Sequence, residues 1–276
     1  MKSLLPAFII VALLLISPHV AAKSEQAYTI GVVPQFEIRH IRKIWNPILK
    51  EIEKHTGIKI KLKGSPTIPD FEKEFTAGTY DFAYMNPYHA LVANKNQGYV
   101  PIIRDNGRKL FGILAVRADS DIKSVKDLDG KKIAFPAPNA LGASLLLRAN
   151  LKDQHKINFN PVYVKTHSSV YLNVIVKQVT AGGGVQKTLN QQPENIKAGI
   201  RVLLRSPEVS PHPLTVHPRV SAADREKVAK ALLRIGSHPV GKALLSKIPM
   251  KQVGPASLND YAPLKDMGLE RYYVTN

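Results

Sequence analysis

Short apolar strands alternate with amphipathic helices along most of this chain, and no other feature restricts its fold as strongly. A strand at residues 28–33 is followed by a helix whose apolar side chains recur at three- and four-residue intervals, from Ile41 to Ile52. Strands separated by helices are typical of βαβ units, in which the strands form a parallel sheet. The sequence therefore predicts an α/β fold with mainly parallel sheets flanked by helices. Further strands are predicted at residues 58–62, 80–84, 99–103, 111–116, 133–135, 161–164 and 201–204, and further helices at 71–77, 87–93, 143–151, 170–179, 221–235 and 240–248.

The order of these elements predicts two lobes. We assign residues 23–114 together with 207–276 to the first lobe, and residues 115–206 to the second. The chain would then cross between the lobes twice, which makes a hinge, and a ligand would bind in the cleft between them. The sequence leaves a single large α/β domain as the alternative.

The first 22 residues have the organisation of a secretory signal peptide. Lys2 precedes an apolar run at residues 4–16, and Val20, Ala21 and Ala22 end the segment with small residues. The apolar run is shorter than the span of about 20 residues that a membrane-crossing helix needs. The chain has no cysteine, so it offers no thiol for a lipid anchor. We expect a cleaved signal peptide and a free protein in the periplasm.

The chain is strongly basic, with 39 lysine and arginine residues against 21 acidic residues and a formal net charge of +18. Such a charge attracts anionic solutes, membranes or nucleic acids. The basic residues are scattered among acidic ones, and the aromatic residues that would stack on a single-stranded nucleic acid are few. We therefore expect a largely solvated basic surface and no nucleic-acid partner.

Sequence patterns that carry catalysis are missing from the chain. It has no GxSxG, HExxH or GxxxxGK[ST] motif. His212 and His217 flank Pro213 in a loop, which is more typical of a surface than of a metal site. Glu72 and Glu74 lie on a predicted amphipathic helix, where we expect both carboxylates to be solvated. The sequence predicts no enzyme, no metal site and no cofactor.

Residues 127–144 combine a turn, a short apolar strand, a proline-rich loop and a glycine that opens a helix. A glycine at such a turn lets backbone N–H groups approach a ligand closely, and a helix N-terminus favours negative charge. This arrangement predicts an anion site built from backbone groups. An ordinary βα turn is the alternative.

Four turns of this kind follow predicted strands, and ligands of open α/β sheets bind at the carboxyl ends of the strands. For Ser168 and Ser169, the alternative role is helix N-capping, and for Tyr84 and Tyr88 it is packing. The candidate ligand-binding residues on the four turns are Gln35, Phe36, Tyr84, Asn86, Tyr88, Asn139, Leu141, Gly142, Ala143, His167, Ser168 and Ser169.

Several segments match one family in order and spacing. They are residues 31–34, 45–49, 77–84, 86–88, 125–135 and 183–186. In these segments the chain resembles the periplasmic phosphate-, phosphite- and phosphonate-binding proteins of ABC transporters. The resemblance covers nearly the whole chain after the signal peptide. It implies a two-lobed periplasmic-binding-protein fold that closes on its ligand and delivers it to a membrane permease.

The resemblance also implies how the ligand is held, and this chain departs from it twice. The family holds its oxyanion with helix N-termini and with hydroxyl groups on the turn after the strand at 133–135. Here residues 139–143 carry no hydroxyl group before Ser144. Where relatives have an acidic residue ahead of the glycine run, this chain has Thr180 and Ala181, which argues against a ligand with an amino group.

We therefore expect a monomeric, non-enzymatic protein that captures a small oxyanion, namely phosphate, phosphite or a phosphonate-like compound. The expected partner is the membrane permease of an ABC transporter. The alternative is a periplasmic sensing subunit that signals ligand binding to a membrane histidine kinase or a similar receptor.

Overall fold

The computed structural model describes residues 27–248 and 250–275. The predicted signal peptide, residues 1–22, lies outside the described residues. None of the helices in the described ranges is both long enough and apolar enough to cross a membrane.

Eleven strands and nine α-helices make up most of the described chain. The strands are β1 (Tyr28–Val32), β2 (Ile60–Lys63), β3 (Phe82–Tyr84), β4 (Val100–Asp105), β5 (Gly112–Arg117), β6 (Lys132–Phe135), β7 (Asn160–Tyr163), β8 (Ala181–Val185), β9 (Ile200–Arg205), β10 (Leu214–Val216) and β11 (Val253–Pro255). The helices are α1 (Ile38–Thr56), α2 (Ile68–Thr76), α3 (Pro87–Gln97), α4 (Leu146–Asp153), α5 (His167–Ile175), α6 (Gln186–Asn190), α7 (Glu194–Ala198), α8 (Ala222–Ser237) and α9 (Pro239–Leu245).

The strands form two sheets, and each sheet with the helices packed on it is called a lobe below. The first sheet has the order β11-β4-β10-β3-β1-β2, and the second has the order β7-β6-β8-β5-β9. Strand β1 runs parallel to β2 and β3, but β10 is antiparallel to both β3 and β4. In the second sheet β6 is parallel to β7 and β8, whereas β5 is antiparallel to β8 and β9.

Both sheets are thus mixed, which corrects the expectation of mainly parallel sheets. The reason is that the chain returns to the first sheet as β10, which enters between β3 and β4 in the opposite direction. Strand β5 begins at Gly112, so residues 112–114 pair within the second sheet. The lobe boundaries drawn from the sequence stay a prediction.

The predicted apolar face of the first helix is buried in the first lobe. Ile41, Trp45 and Ile48 of α1 pack in one cluster with Ile30 of β1. Gly57 ends the helix in the left-handed conformation, with φ of 71°, and its N–H donates to the carbonyl of Glu53. The spacing of apolar residues therefore predicted both the helix and its buried side.

Two helices of the second lobe begin differently from the sequence prediction. The helix expected at residues 143–151 starts with a wider π-helical turn, Leu141–Leu145, that continues into α4. The helix expected at residues 170–179 begins at His167 and ends at Ile175 because Lys177 has a positive φ of 62°. Both shifts move a helix N-terminus toward the strand ends.

Glycine residues, which have no side chain, let the Leu141–Leu145 turn lie directly against the second sheet. A Cβ atom at Gly112 would lie 2.8 Å from the carbonyl carbon of Gly142 and closer still to its oxygen. A Cβ atom at Gly183 would lie 2.6 Å from the Phe135 ring and would also overlap the carbonyl oxygen of Ala143. These two glycines in β5 and β8 therefore fix the position of the turn.

Candidate functional site

A small pocket lies where the carboxyl ends of β1 and β3 face the helix starts of the second lobe. Its volume of about 10 Å³ is close to that of one water site. We call it the inner pocket. Its lining residues come from both lobes and are Val33, Gln35, Ile68, Asn86, Ala140, Leu141, Gly142, Ala143, His167, Val185 and His212.

The turn at Leu141–Leu145 borders the inner pocket through Leu141, Gly142 and Ala143. The hydrogen bonds of this turn begin at Ser144 and Leu145, whose N–H groups donate to the carbonyl of Ala140 over 2.7 and 3.0 Å. The N–H groups of Leu141, Gly142 and Ala143 precede these bonds, and the first N–H groups of a helix have no partner within it. Together they provide donors and partial positive charge for an anion.

Helix α5 brings a second N-terminus to the same pocket. Thr166 is its N-cap, because the Thr166 Oγ1 accepts from the N–H of Ser169 over 3.1 Å. The Oγ atoms of Ser169 and Thr166 lie 2.9 Å apart, and Ser168 Oγ accepts from Gln192 over 3.2 Å. The structure therefore places both predicted serines in local contacts, and His167 is the member of this turn that lines the pocket.

His167 is buried and held by the second lobe. Its Nδ1 lies 3.2 Å from the hydroxyl of Thr188, which also donates to the carbonyl of Val185. Burial lowers the pKa of His167 to about 4, so the ring is neutral at pH 7. A neutral imidazole beside two helix N-termini adds to the site a polar group with one hydrogen-bond donor and one acceptor.

His212 is a pocket residue that the sequence interpretation placed at the surface. It is 5% exposed, and its Nδ1 has no hydrogen-bond partner among the described residues. Burial, with smaller contributions from His89 and His167, lowers its pKa to about 3. The surface prediction was wrong because β10 is antiparallel to β3, with Leu214 opposite Tyr84. That pairing brings the start of β10 to the sheet edge where β3 ends.

The aromatic candidates make packing contacts beside the pocket. The Tyr84 ring lies 5.1 Å from Trp45 and stacks on His212 at 5.6 Å between ring centroids. Its hydroxyl is buried without a hydrogen-bond partner among the described residues, and burial raises its pKa.

The other two aromatic candidates also pack against rings. Tyr88 packs against Tyr273 at 5.3 Å, and Phe36 packs against His40 at 5.0 Å. Neither side chain lines the inner pocket, whereas Gln35 on the same turn as Phe36 does.

Asn86 and Asn139 join the two lobes next to the pocket. Asn86 Oδ1 caps α3 by accepting from the N–H of His89 over 2.8 Å, and Asn86 Nδ2 donates to the carbonyl of Asn139 over 3.1 Å. Asn139 Nδ2 donates to Glu72 over 3.0 Å and to the carbonyl of Val274 over 2.7 Å. Asn139 thus ties the second lobe to the first lobe and to the C-terminal segment, and it does not line the inner pocket.

Glu72 corrects another sequence expectation, because its carboxylate is buried at 4% exposure instead of solvated. Glu72 Oε1 lies 2.9 Å from His89 Nε2, while the other oxygen accepts from Asn139. The helical spacing that suggested a solvated face did not show that α3 packs over this side of α2. The group is a structural connector between the lobes.

A wider opening lies next to the inner pocket, and we call it the outer cleft. Its volume is about 590 Å³, within the range of about 300–1,000 Å³ that is common for ligand sites. It shares Gln35, Val185 and His212 with the inner pocket. The remaining lining residues include four cations and one carboxylate, namely Arg108, Lys109, Lys187, Lys251 and Glu208.

The positive charge of the outer cleft is concentrated around Lys187, with Arg108 and Lys251 nearby. The pKa of Lys187 is lowered by burial first and then by repulsion from Arg108 and Lys251. Its Nζ donates to the carbonyl of Ser246 in the first lobe over 3.1 Å, so the lysine bridges the lobes. Arg108 lies 3.2 Å from the buried carboxylate of Asp105. The mouth of the site is therefore electropositive.

Another depression, of about 680 Å³, lies at the opposite end of the second sheet. Its lining includes Lys132 at the start of β6 and Thr180 just before β8. Ligands of open α/β sheets gather at the carboxyl ends of the strands, so this depression is at the wrong edge for the site. Within the described residues, no cluster of three or more His, Cys, Asp or Glu side chains is arranged to hold a metal ion.

Known proteins share both the sequence pattern and the fold. The phosphonates-binding periplasmic protein of Escherichia coli (strain K12) is 22% identical over 270 residues, which cover 92% of this chain and 80% of that protein. The structure of PhnD1 from Prochlorococcus marinus (MIT 9301), in complex with methylphosphonate, has a TM-score of 0.82 at 12% identity. That match covers 91% of this chain and 100% of PhnD1.

A binding-protein component of a phosphonate ABC transporter from Pseudomonas aeruginosa has a TM-score of 0.80 at 18% identity, covering 89% of this chain and 87% of that one. These likenesses confirm the predicted two-lobed α/β fold. The family model of the periplasmic substrate-binding protein of phosphonate ABC transporters matches residues 30–261. The predicted resemblance is thereby confirmed, and this chain belongs to that family of periplasmic substrate-binding proteins.

Proposed function

We propose that this chain captures a small phosphoryl oxyanion in the inner pocket by closing its two lobes, and that it delivers the ion to an ABC permease. The observation that carries the proposal is the meeting of two helix N-termini, at Leu141 and His167, with the strand ends of the first lobe. Helix N-termini bind phosphoryl groups through free N–H donors and the helix dipole. The E. coli relative's name and the methylphosphonate complex of PhnD1 support the same ligand class.

The lining of the inner pocket favours an oxyanion that carries no amino group. No acidic side chain is among its described lining residues, so an ammonium group would have no carboxylate partner there. His167 and His212 are held neutral by burial, and an adjacent anion would favour their protonated forms. Phosphate, phosphite and alkylphosphonates meet these conditions.

The inner pocket as it stands is smaller than the proposed ligand. A space of about 10 Å³ holds about one water, so the lobes have to lie farther apart than here both when a phosphonate enters and when it is bound. The lobes are connected here by the Lys187 bond to Ser246 and the Asn86 bond to Asn139. A ligand that contacts both lobes would shift the balance between open and closed forms by its difference in affinity for them.

Three further parts of the proposal rest on the sequence and on its resemblance to the family. We infer a monomer that binds its ligand without chemical turnover and is exported by a cleaved signal peptide. The family and the relatives are those of transport proteins, and they do not favour the alternative of a sensor subunit.

Isothermal titration calorimetry with methylphosphonate, phosphate, phosphite and sulfate tests the proposal. We expect the phosphorus oxyanions to bind and His167→Gln to weaken that binding. His238→Gln is the matched control, because His238 is exposed and lies outside both pockets. Absence of binding for all three phosphorus compounds would refute the proposed ligand class.

A further inference from the structure

The outer cleft holds more positive charge than its own acidic residues can balance. Its lining includes four cations, Arg108, Lys109, Lys187 and Lys251, and one carboxylate, Glu208. If the buried Asp105 is assigned to Arg108 and Glu208 to one lysine, two lysines still have no acidic partner in the cleft. This excess lies directly outside the proposed oxyanion site.

The position of Lys187 distinguishes this cluster from an ordinary basic surface. Lys187 is partly buried, and its ammonium group reaches the carbonyl of Ser246 across the cleft at 3.1 Å. Burial and repulsion from Arg108 and Lys251 lower its pKa. A lysine on an ordinary solvated surface is neither partly buried nor crowded by other cations, because burial and like charges disfavour the ammonium form. A bound anion would relieve the repulsion.

The two spaces share part of their lining and differ in scale. The inner pocket has about 10 Å³ and the outer cleft about 590 Å³. Gln35, Val185 and His212 line both, so a group attached to an oxyanion in the inner pocket would project into the outer cleft. The substituent of the ligand would therefore meet Lys187 and Lys251.

We propose that the physiological ligand is a phosphonate or phosphate whose substituent carries a second anionic group, a carboxylate or another phosphoryl group. The first oxyanion occupies the inner pocket, and the second group binds Lys187 and Lys251 in the outer cleft. This inference rests on the proposed function, since it uses the inner pocket as the anchor. It requires a second anionic group, which a simple alkylphosphonate lacks.

A pair of nearly isosteric ligands isolates the second charge. Phosphonoacetate carries a carboxylate beside its phosphonate, and its amide, phosphonoacetamide, replaces that carboxylate with a neutral group. Calorimetry at low salt measures both against methylphosphonate. A charge-assisted hydrogen bond has a magnitude that corresponds to roughly tenfold or more in affinity, so we expect phosphonoacetate to bind at least about tenfold tighter than the amide.

Charge variants then locate the effect. We expect the double variant Lys187→Gln and Lys251→Gln to reduce the affinity ratio of phosphonoacetate over its amide to about threefold or less, since both charge-assisted contacts are lost. Lys187→Arg should keep most of the ratio because it keeps the positive charge. Lys227→Gln, on the exposed face of α8, is the matched control and should keep the full ratio. Thermal unfolding verifies that each variant is folded.

The outcomes separate this inference from the function on which it rests. If methylphosphonate binds but phosphonoacetate binds no tighter than its amide, the inference is wrong and the proposed function stands. If the ratio survives loss of both lysines, the assignment to the outer cleft is likewise overturned. If no phosphonate binds at all, the proposed function and this inference fail together. Tight binding of phosphonoacetate with weak binding of methylphosphonate would support the inference most strongly.

Discussion

Gly112→Ala tests whether the second sheet positions the Leu141–Leu145 turn that we propose binds the anion. The added Cβ would lie 2.8 Å from the carbonyl carbon of Gly142, whereas ordinary contacts begin at 3.4 Å. The neighbouring atoms are backbone, so the turn has to retreat by more than about 0.5 Å, and overpacking of this kind costs about 1–3 kcal/mol of stability. Because the displaced peptide belongs to the turn itself, its N–H donors would shift away from the positions that the proposed site needs.

We expect Gly112→Ala to lower the ligand affinity by more than its loss of folding stability alone would cause. One charge-assisted hydrogen bond has a magnitude of about 1.5–3 kcal/mol, so losing one weakens methylphosphonate binding by about ten- to a hundredfold. Urea unfolding measures the free energy of unfolding, and calorimetry measures the affinity.

Gly57→Ala is the matched control for this substitution. Gly57 ends α1 with φ of 71° and has open space around its Cβ position. Alanine in that conformation costs about 1–2 kcal/mol, and we expect it to leave the ligand affinity unchanged because the site is remote. A Gly112→Ala protein with the stability and affinity of the unmodified chain would refute the reasoning.

Three other predictions use the buried polar groups. His167→Gln is expected to weaken methylphosphonate binding about tenfold in calorimetry, and an unchanged affinity would remove this residue from the site. In the folded chain the pKa values of His167 and His212 are lowered to about 4 and about 3. Below about pH 6.5 the unfolded chain therefore binds protons at these histidines, whereas the folded chain binds them only at lower pH. The free energy of unfolding should therefore fall as the pH decreases from about 6.5 to about 4, by up to about 1.4 kcal/mol per pH unit for each histidine. Urea unfolding at several pH values measures this slope, and His212→Gln should reduce it; a slope that is the same in both proteins contradicts the assignment. Asn139→Ala removes the bonds to Glu72 and Val274 and should cost about 1–3 kcal/mol in urea unfolding, whereas a cost near zero would show that these bonds do not stabilise the closed arrangement.

Local patterns predicted much of this fold. The periodic apolar residues identified α1 and its buried face, and α8 begins where its helix was predicted, with Ser221 accepting from the N–H of Asp224 over 3.1 Å. Gly142 was predicted at the start of a helix that follows a strand, and it lies in the Leu141–Leu145 turn, because that place is visible in a short segment. Such features depend on neighbours in sequence, which a single chain displays directly.

The missed features depend on pairings between distant segments. His212 lies at the site only because β10 returns between β3 and β4 in the antiparallel direction. Arg108, Lys187 and Lys251 come from three separate parts of the chain, and each is unremarkable in its own segment. Glu72 was expected at the surface because helical periodicity does not show that α3 and the second lobe cover that face.

A crystal structure with methylphosphonate bound tests the central claim most directly. We expect the phosphonate oxygens to accept hydrogen bonds from the backbone N–H groups of Gly142 and Ala143, at about 2.7–3.1 Å, with His167 and His212 beside them. Lobes that hold the ligand between them would establish capture by closure. A phosphonate bound elsewhere, with no contact to the Leu141–Leu145 turn, would contradict the account.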